Sequence, residues 1–169
     1  MSRNAIWRPM LPEDLKDVER LATDSHPGLP EDIAVFAERL TLFPAGCSVL
    51  DQDGTVQGYI ISHPILRDEP PDLNNMLGNI HKDADTYYIH DLVVANQLRG
   101  RGLAASGIVQ ALATAAREGF VRTCIISVYG TADFWSRYGF QRQEATGVMA
   151  RKLLGYGPDA VYMVRYVNS

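Results

Sequence analysis

The chain has only two cysteines, Cys47 and Cys124, in 169 residues. That count excludes a secreted disulfide framework and leads us to expect two buried, reduced thiols. No apolar run approaches the roughly 20 residues that span a bilayer. The opening Met-Ser-Arg-Asn-Ala-Ile-Trp-Arg-Pro lacks the apolar core of a signal peptide. A basic excess is missing as well: 16 Lys and Arg stand against 20 Asp and Glu, for a net charge of −4, so there is no global field for nucleic acid. The four histidines, His26, His63, His81 and His90, show no ligand spacing with one another or with the cysteines, so no metal site is expected. Repeats, low-complexity tracts and linker-like boundaries are also lacking. The expectation is one metal-free cytoplasmic domain over residues 1–169, with neither nucleic acid nor membrane as partner.

Local patterns give an element order. Residues 5–8 read as a strand ended by Pro9. Pro12-Glu13-Asp14 and Pro30-Glu31-Asp32 open two helices, with apolar stripes at Leu15, Val18, Leu21 and Ala22, and at Ile33, Phe36, Ala37 and Leu40. Residues 47–50 and 56–62 are strands joined at Asp53-Gly54, a two-residue hairpin signal, and Pro64 ends the second. Residues 65–85 are polar and too long for a plain connection, so they form a functional loop or carry short helical turns. A strand over 87–94, a helix over 104–118 capped by Gly119, a strand over 123–128 and a short helix over 132–138 follow. Strand-like runs near 141–150 and 160–167 close the chain. The order β-α-α-β-β-β-α-β-α-β-β predicts an α/β fold, with a mixed, mostly antiparallel central sheet flanked by helices.

The chemistry concentrates in Gln97-Leu98-Arg99-Gly100-Arg101-Gly102-Leu103-Ala104, at a strand-to-helix junction. Glycines there let backbone amides approach phosphate oxygens, and a helix start adds unpaired N–H groups and a positive dipole end. Nothing matches the Walker loop. Gly100-x-Gly102-x-x-Ala105 matches a dinucleotide fingerprint, but only one βαβ unit surrounds it, and Tyr129-Gly130-Thr131 stands where an acidic residue would end the next strand. Arg99-x-x-Gly102-x-Ala104 also fits Arg/Gln-x-x-Gly-x-Gly/Ala, a pattern for acyl-CoA.

With that pattern the chain resembles the Gcn5-related N-acetyltransferase superfamily. Residues 128–140, Val-Tyr-Gly-Thr-Ala-Asp-Phe-Trp-Ser-Arg-Tyr-Gly-Phe, resemble its later segment at Ala132, Phe134, Gly139 and Phe140. Ile6-Trp7-Arg8-Pro9 with Glu13-Asp14 is similar to its first strand and helix start. The resemblance covers nearly the whole chain and implies acetyl transfer from acetyl-CoA to a primary amine, of a small molecule or of an amino terminus, by direct attack in a ternary complex. It implies that Leu92, Val93 and Val94 pair with the pantetheine arm, and that Arg99, Gly100, Arg101, Gly102, Leu103 and Ala104 hold the pyrophosphate. An amide at or near Val93 would polarise the acetyl carbonyl. Trp135 stands where the family often carries the tyrosine that protonates the leaving thiolate, and Tyr129 replaces a frequent asparagine. Either Tyr129 or Tyr138 supplies that proton, or the thiolate leaves without a protein acid. His90, nine residues before Arg99, resembles half of the His-x-His of arylalkylamine N-acetyltransferases and is the candidate base. Asp91 is the second candidate. Strict alternation puts Tyr88, His90, Leu92 and Val94 on one face, with Asp91 on the other, unless a bulge intervenes. The acceptor region falls at about 25–39, 65–85 and 151–159. Most of its carboxylates, including Glu31, are expected to be solvated. Homodimers accompany the family. Two alternatives are a non-catalytic acyl-CoA-binding module and a nicotinamide-dependent oxidoreductase, the latter separable by thermal shift with NAD(P).

Overall fold

Asp53 and Gly54 take positive φ values of 54° and 85°, and turn β2 (Cys47–Gln52) into β3 (Thr55–Ile65) with Gln52 opposite Thr55. That pair of left-handed residues is what a two-residue hairpin requires. The computed structural model describes residues 4–167, so Met1–Arg3, part of the start read for a leader, lie outside them. Around the hairpin grows one seven-stranded sheet in the order β1-β2-β3-β4-β5-β7-β6. Its other strands are β1 (Ala5–Pro9), β4 (Thr86–Val94), β5 (Arg122–Ser127), β6 (Gln141–Arg142) and β7 (Val161–Tyr166). Only β4 and β5 pair in parallel; the remaining neighbours are antiparallel. The mixed, mostly antiparallel sheet flanked by helices is therefore present.

One face of the sheet packs α1 (Leu15–Ser25) and α2 (Ile33–Leu42). Val18, Leu21 and Phe36 there meet Val49, Tyr59, Ile61 and Val93 in a core cluster. The opposite face packs α3 (Leu103–Arg117) and α4 (Ala132–Ser136), through Ile108, Ala111 and Trp135 against Ile60, Ile89 and Ile125. The predicted α1 stripe is the buried one at Val18, Leu21 and Ala22. In α2 the deepest residues are Val35, Phe36 and Arg39, so the stripe is rotated from the predicted one. Arg39 is buried, with Nη1 2.9 Å from Glu38 Oε1. Cys47 and Cys124 are buried free thiols, and burial pushes each up to about 12.

Two expectations fail locally. Pro64 does not end β3; it pairs opposite Tyr87. Beta2 last pairs at Ile61, so beyond it β3 has no neighbour on that edge, and the missing N–H of proline costs no ladder bond. The strand-like run at 141–150 is a strand only at Gln141–Arg142, followed by α5 (Gly147–Leu154). Met149 and Leu153, four residues apart, pack on one side against Tyr88, Cys124 and Tyr162, which is helical spacing.

Trp7 on β1 locks α3 in place. Its Nε1–H donates to the Leu103 carbonyl at 2.9 Å, and a Cβ at Gly107 would stand 2.7 Å from the indole. Gly107→Val is expected to lower unfolding free energy by about 3 kcal/mol through overpacking and poor helix propensity. A urea denaturation midpoint equal to that of the parent protein would contradict this.

Candidate active site

Beta4 and β5 pair only at Tyr87–Thr123, Tyr88–Cys124 and Ile89–Ile125. Beyond Ile89 they separate, and a cleft of about 820 Å³ opens between them. Among the described residues, no strand pairs with this edge of β4 from His90 to Val94. The Ala95 amide donates to Gln57 O at 2.8 Å, toward β3. Alternation along a strand turns the Val93 amide the same way and leaves Leu92 and Val94 facing the cleft. The amide available to polarise a carbonyl thus belongs to Leu92 or Val94, the neighbours of Val93. All three residues line the cleft.

At one end of the cleft, Gly100 and Gly102 hold left-handed φ values of 79° and 74°. Gly102 immediately precedes α3, and no side chain caps it. The first helical bond is Ser106 N–H to Gly102 O at 3.1 Å, so the amides of Leu103, Ala104 and Ala105 precede the ladder. A Cβ at Gly100 or Gly102 would meet no atom within 4 Å. Backbone conformation and open space, rather than packing, therefore call for glycine there. Gly100, Gly102, Leu103, Ala104 and Arg99 line the cleft. Arg99 Nε–H donates to Val94 O at 3.3 Å and ties the loop to the end of β4. Arg101 is exposed and does not line the cleft, whereas Arg137, which the motifs did not single out, does.

The other end is polar in pairs. Between β3 and β4, Ile61 faces Asp91 and Ser62 faces Ile89, which leaves His90 as an extra, bulged residue. The bulge overturns the strict alternation. His90 stands beside Tyr88, with ring centroids 5.7 Å apart, and Asp91 bonds Tyr59 and His26 on the α1–α2 face, so both turn to one side. His90 Nε2 is 2.7 Å from Glu31 Oε1, and both side chains are almost fully buried. Glu31 also accepts the Asn74 amide at 3.0 Å, so it is not the solvated charge its surroundings in the sequence imply. Burial pushes the Glu31 carboxyl up, but the charge and hydrogen bond of His90 outweigh it and hold Glu31 below the ordinary carboxylate range.

His26, at the end of α1, forms a second pair that sequence reasoning missed. Its Nε2 is 2.9 Å from Asp91 Oδ1, while the Tyr59 hydroxyl donates to the other Asp91 oxygen. Burial opposes charge on both partners, yet the mutual hydrogen bond wins: His26 is raised above its ordinary value and Asp91 lowered below its own. His63 lies behind His90, with ring centroids 6.3 Å apart; burial and the neighbouring His90 push it down to about 3, so it stays neutral.

Tyr129, Tyr138 and Trp135 all line the cleft. Tyr129 has φ 54° and stacks on His26 at 5.5 Å and 9°, bridging the end of β5 to the end of α1. Tyr138 packs edge-on against Phe134 at 5.4 Å, and Trp135 packs against Phe134 and Phe140 in the core. Among the described residues no cluster of His, Cys, Asp and Glu is suited to a metal, and no helix is long and apolar enough to cross a membrane.

A search of the curated proteins returned no match. Solved structures do share the fold. Ard1 from Thermoplasma volcanium superposes with a TM-score of 0.75 at 17% identity, over 98% of this chain and 99% of that one. The loading GNATL domain of CurA from Lyngbya majuscula gives 0.77 at 14%, over 96% and 98%. Naa50 from Arabidopsis thaliana, in complex with the bisubstrate analogue CoA-Ac-MVNAL, gives 0.69 at 14%, over 95% and 96%. The model of the acetyltransferase (GNAT) family matches residues 13–140, which takes in the helix start, the glycine loop and the Gly139-Phe140 end. The chain belongs to the acetyltransferase (GNAT) family.

Proposed function

We propose that this chain is an acetyl-CoA-dependent N-acetyltransferase that moves the acetyl group to a primary amine by direct attack. One observation carries the reading: the open edge of β4 beyond Ile89 runs along a cleft that also contains the glycine loop at the start of α3. An extended pantetheine arm finds backbone partners on that edge, and its diphosphate finds the Leu103, Ala104 and Ala105 amides at a positive helix end. Acetyl-CoA is the acyl donor. Arg99 and Arg137 add charge on the cleft, while Arg101 contributes at most from outside it.

The reaction needs a neutral amine, a polarised carbonyl and an exit for thiolate. His90, oriented through Nε2 by Glu31, takes the proton of the acceptor ammonium. The Leu92 or Val94 amide stabilises charge on the carbonyl oxygen. The C–N bond forms and the C–S bond breaks. Of the two protons the ammonium loses, one reaches solvent through His90 and one ends on the CoA sulfur, delivered by Tyr138. Thiolate is a tolerable leaving group with a thiol pKa of about 8.5, so Tyr138 assists rather than enables. Tyr129, stacked on His26, helps close the cleft, and Trp135 supplies a wall. A cytoplasmic setting, where thiols such as Cys47 and Cys124 stay reduced, accords with this reading.

The test is CoA release from acetyl-CoA over a panel of amines, beside calorimetric titration with acetyl-CoA. Turnover with micromolar binding is expected; absence of acetyl-CoA binding would refute the proposal. His90→Gln keeps a donor for Glu31 but removes the base. It is expected to lower kcat at neutral pH by about 10²-fold, in line with typical general-base contributions, and to leave acetyl-CoA affinity intact. A pH–rate profile unchanged by the substitution would make His90 purely structural.

A further inference from the structure

Residues 66–85 leave β3 and return to β4 without helix, yet they are pinned on two sides. Toward α2, the Asn74 amide donates to Glu31 at 3.0 Å, the Asp32 amide donates to Asn74 Oδ1 at 2.7 Å, and the Gly78 amide donates to Glu38 at 3.0 Å. Toward α5 and the turn after it, Lys152 Nζ lies 3.2 Å from Asp72 Oδ1, and the Tyr156 hydroxyl donates to Pro71 O at 2.8 Å. The segment is a strap from α2 to α5, and it crosses the end of the cleft opposite the glycine loop. Leu73, on the strap, and Tyr156, beneath it, both line the cleft.

A ligand whose diphosphate sits at the glycine loop directs its acyl end toward this strapped end. The acceptor must then occupy the space among Leu29, Leu73, Tyr129, Tyr156 and the two imidazole–carboxylate pairs. A peptide continuing from that end meets Leu73 of the strap and Tyr156 beneath it. The apolar and aromatic walls suit a hydrocarbon body. The lining arginines, Arg99 and Arg137, belong to the glycine loop and the end of α4; α1, α2, the strap and α5 contribute no lysine or arginine to the lining. An acceptor carboxylate would therefore lose its hydration without gaining a lysine or arginine partner, and the two imidazoles there are already engaged by Asp91 and Glu31. An ammonium, by contrast, arrives beside Glu31 and Asp91, both held ionised.

We infer that the acceptor is a compact primary monoamine with an apolar body and no carboxylate, and not the amino terminus of a peptide. This rests on the reading of the cleft as an acetyl-CoA site. The experiment compares kcat/KM at saturating acetyl-CoA for butylamine, 2-phenylethylamine and tryptamine, for L-phenylalanine, and for a tetrapeptide beginning with phenylalanine. At least one monoamine is expected to exceed phenylalanine and the peptide by 100-fold or more. Equal or better use of the peptide or the amino acid overturns the inference. So does acetyl-CoA binding by calorimetry with no turnover of any monoamine, which leaves the donor site standing. Failure to bind acetyl-CoA overturns the inference together with the function beneath it. Tyr156→Phe removes the hydroxyl that holds Pro71 and keeps the ring, and is expected to narrow the monoamine-to-peptide ratio at least threefold. A ratio it leaves unchanged overturns the strap as the cause of selectivity.

Discussion

Gly102→Val is expected to weaken acetyl-CoA binding by about 100-fold or more while the protein stays folded. The residue sits at φ 74° directly before α3, in a region where a β-branched side chain is strained by about 1–3 kcal/mol. Beyond the adjoining residues no protein atom lies within 4 Å of the added Cβ, so the lesion is not a packing clash. It acts in two other ways. If the loop keeps its shape, the valine methyl groups project into the space where a diphosphate meets the backbone. If the loop relaxes, the Leu103 and Ala104 amides turn away from a common point. Either route removes charge-assisted contacts at a helix start, where each is strong. Calorimetric titration with acetyl-CoA reads the loss, and circular dichroism checks the fold. Affinity within a factor of three of the parent protein would mean that the loop is not the diphosphate cradle.

Asp91→Ala is expected to be the most destabilising single change at the site, by about 3–5 kcal/mol, because it strips one member from a buried hydrogen-bonded charge pair. It leaves His26 and the Tyr59 hydroxyl without their acceptor. At about 2–4 °C per kcal/mol for a domain of this size, the melting temperature falls by about 10 °C. The loss depends on pH in a way that identifies its origin. Asp91 is lowered in the folded state, so its contribution exists above the unfolded carboxylate value of about 3.9 and disappears as pH falls through the folded value. His26 is raised, so its contribution is complete below the unfolded imidazole value of about 6.5 and disappears as pH rises through the folded value. The pair therefore stabilises most between about pH 4 and 6.5. Urea denaturation of parent and variant at pH 3, 5.5 and 8.5 should show the widest gap at 5.5. A gap that is constant across the three would assign the effect to lost packing.

The features legible in the sequence are those that a few adjacent residues determine. Asp53-Gly54 specifies its own turn, and Gly100 and Gly102 specify left-handed backbone before a helix. The apolar stripe of α1 repeats with the helical period. What escaped depends on distant partners. Glu31 looks like one acidic residue among several until α2 brings it to His90, 59 positions away. His26 has no sequence neighbour to explain it, since Asp91 lies 65 positions on. Pro64 signals a strand end only when both edges need amides, and the sequence does not say that β2 stops first. The mixed residues of 147–154 satisfy both alternation and helical spacing, and only the position of Tyr88 and Cys124 decides between them.

The single extra residue at His90 makes β4 a strand with a phase slip. Before it, Tyr87 and Ile89 belong to the α3 side; after it, Leu92 and Val94 do. The two halves therefore carry hydrophobic patterns that are out of step by one residue, and each half is in register with its own wall. Removing one residue at the slip would bring the strand into uniform phase. With His90 gone, Ile89, Asp91, Leu92, Val93 and Val94 would alternate on the walls they hold now, and what would be lost is the placing of two consecutive polar side chains, His90 and Asp91, on one wall. The extra residue thus serves the cleft rather than the sheet, and functional homologues should keep it, with length variation falling in the strap rather than between Tyr88 and Arg99.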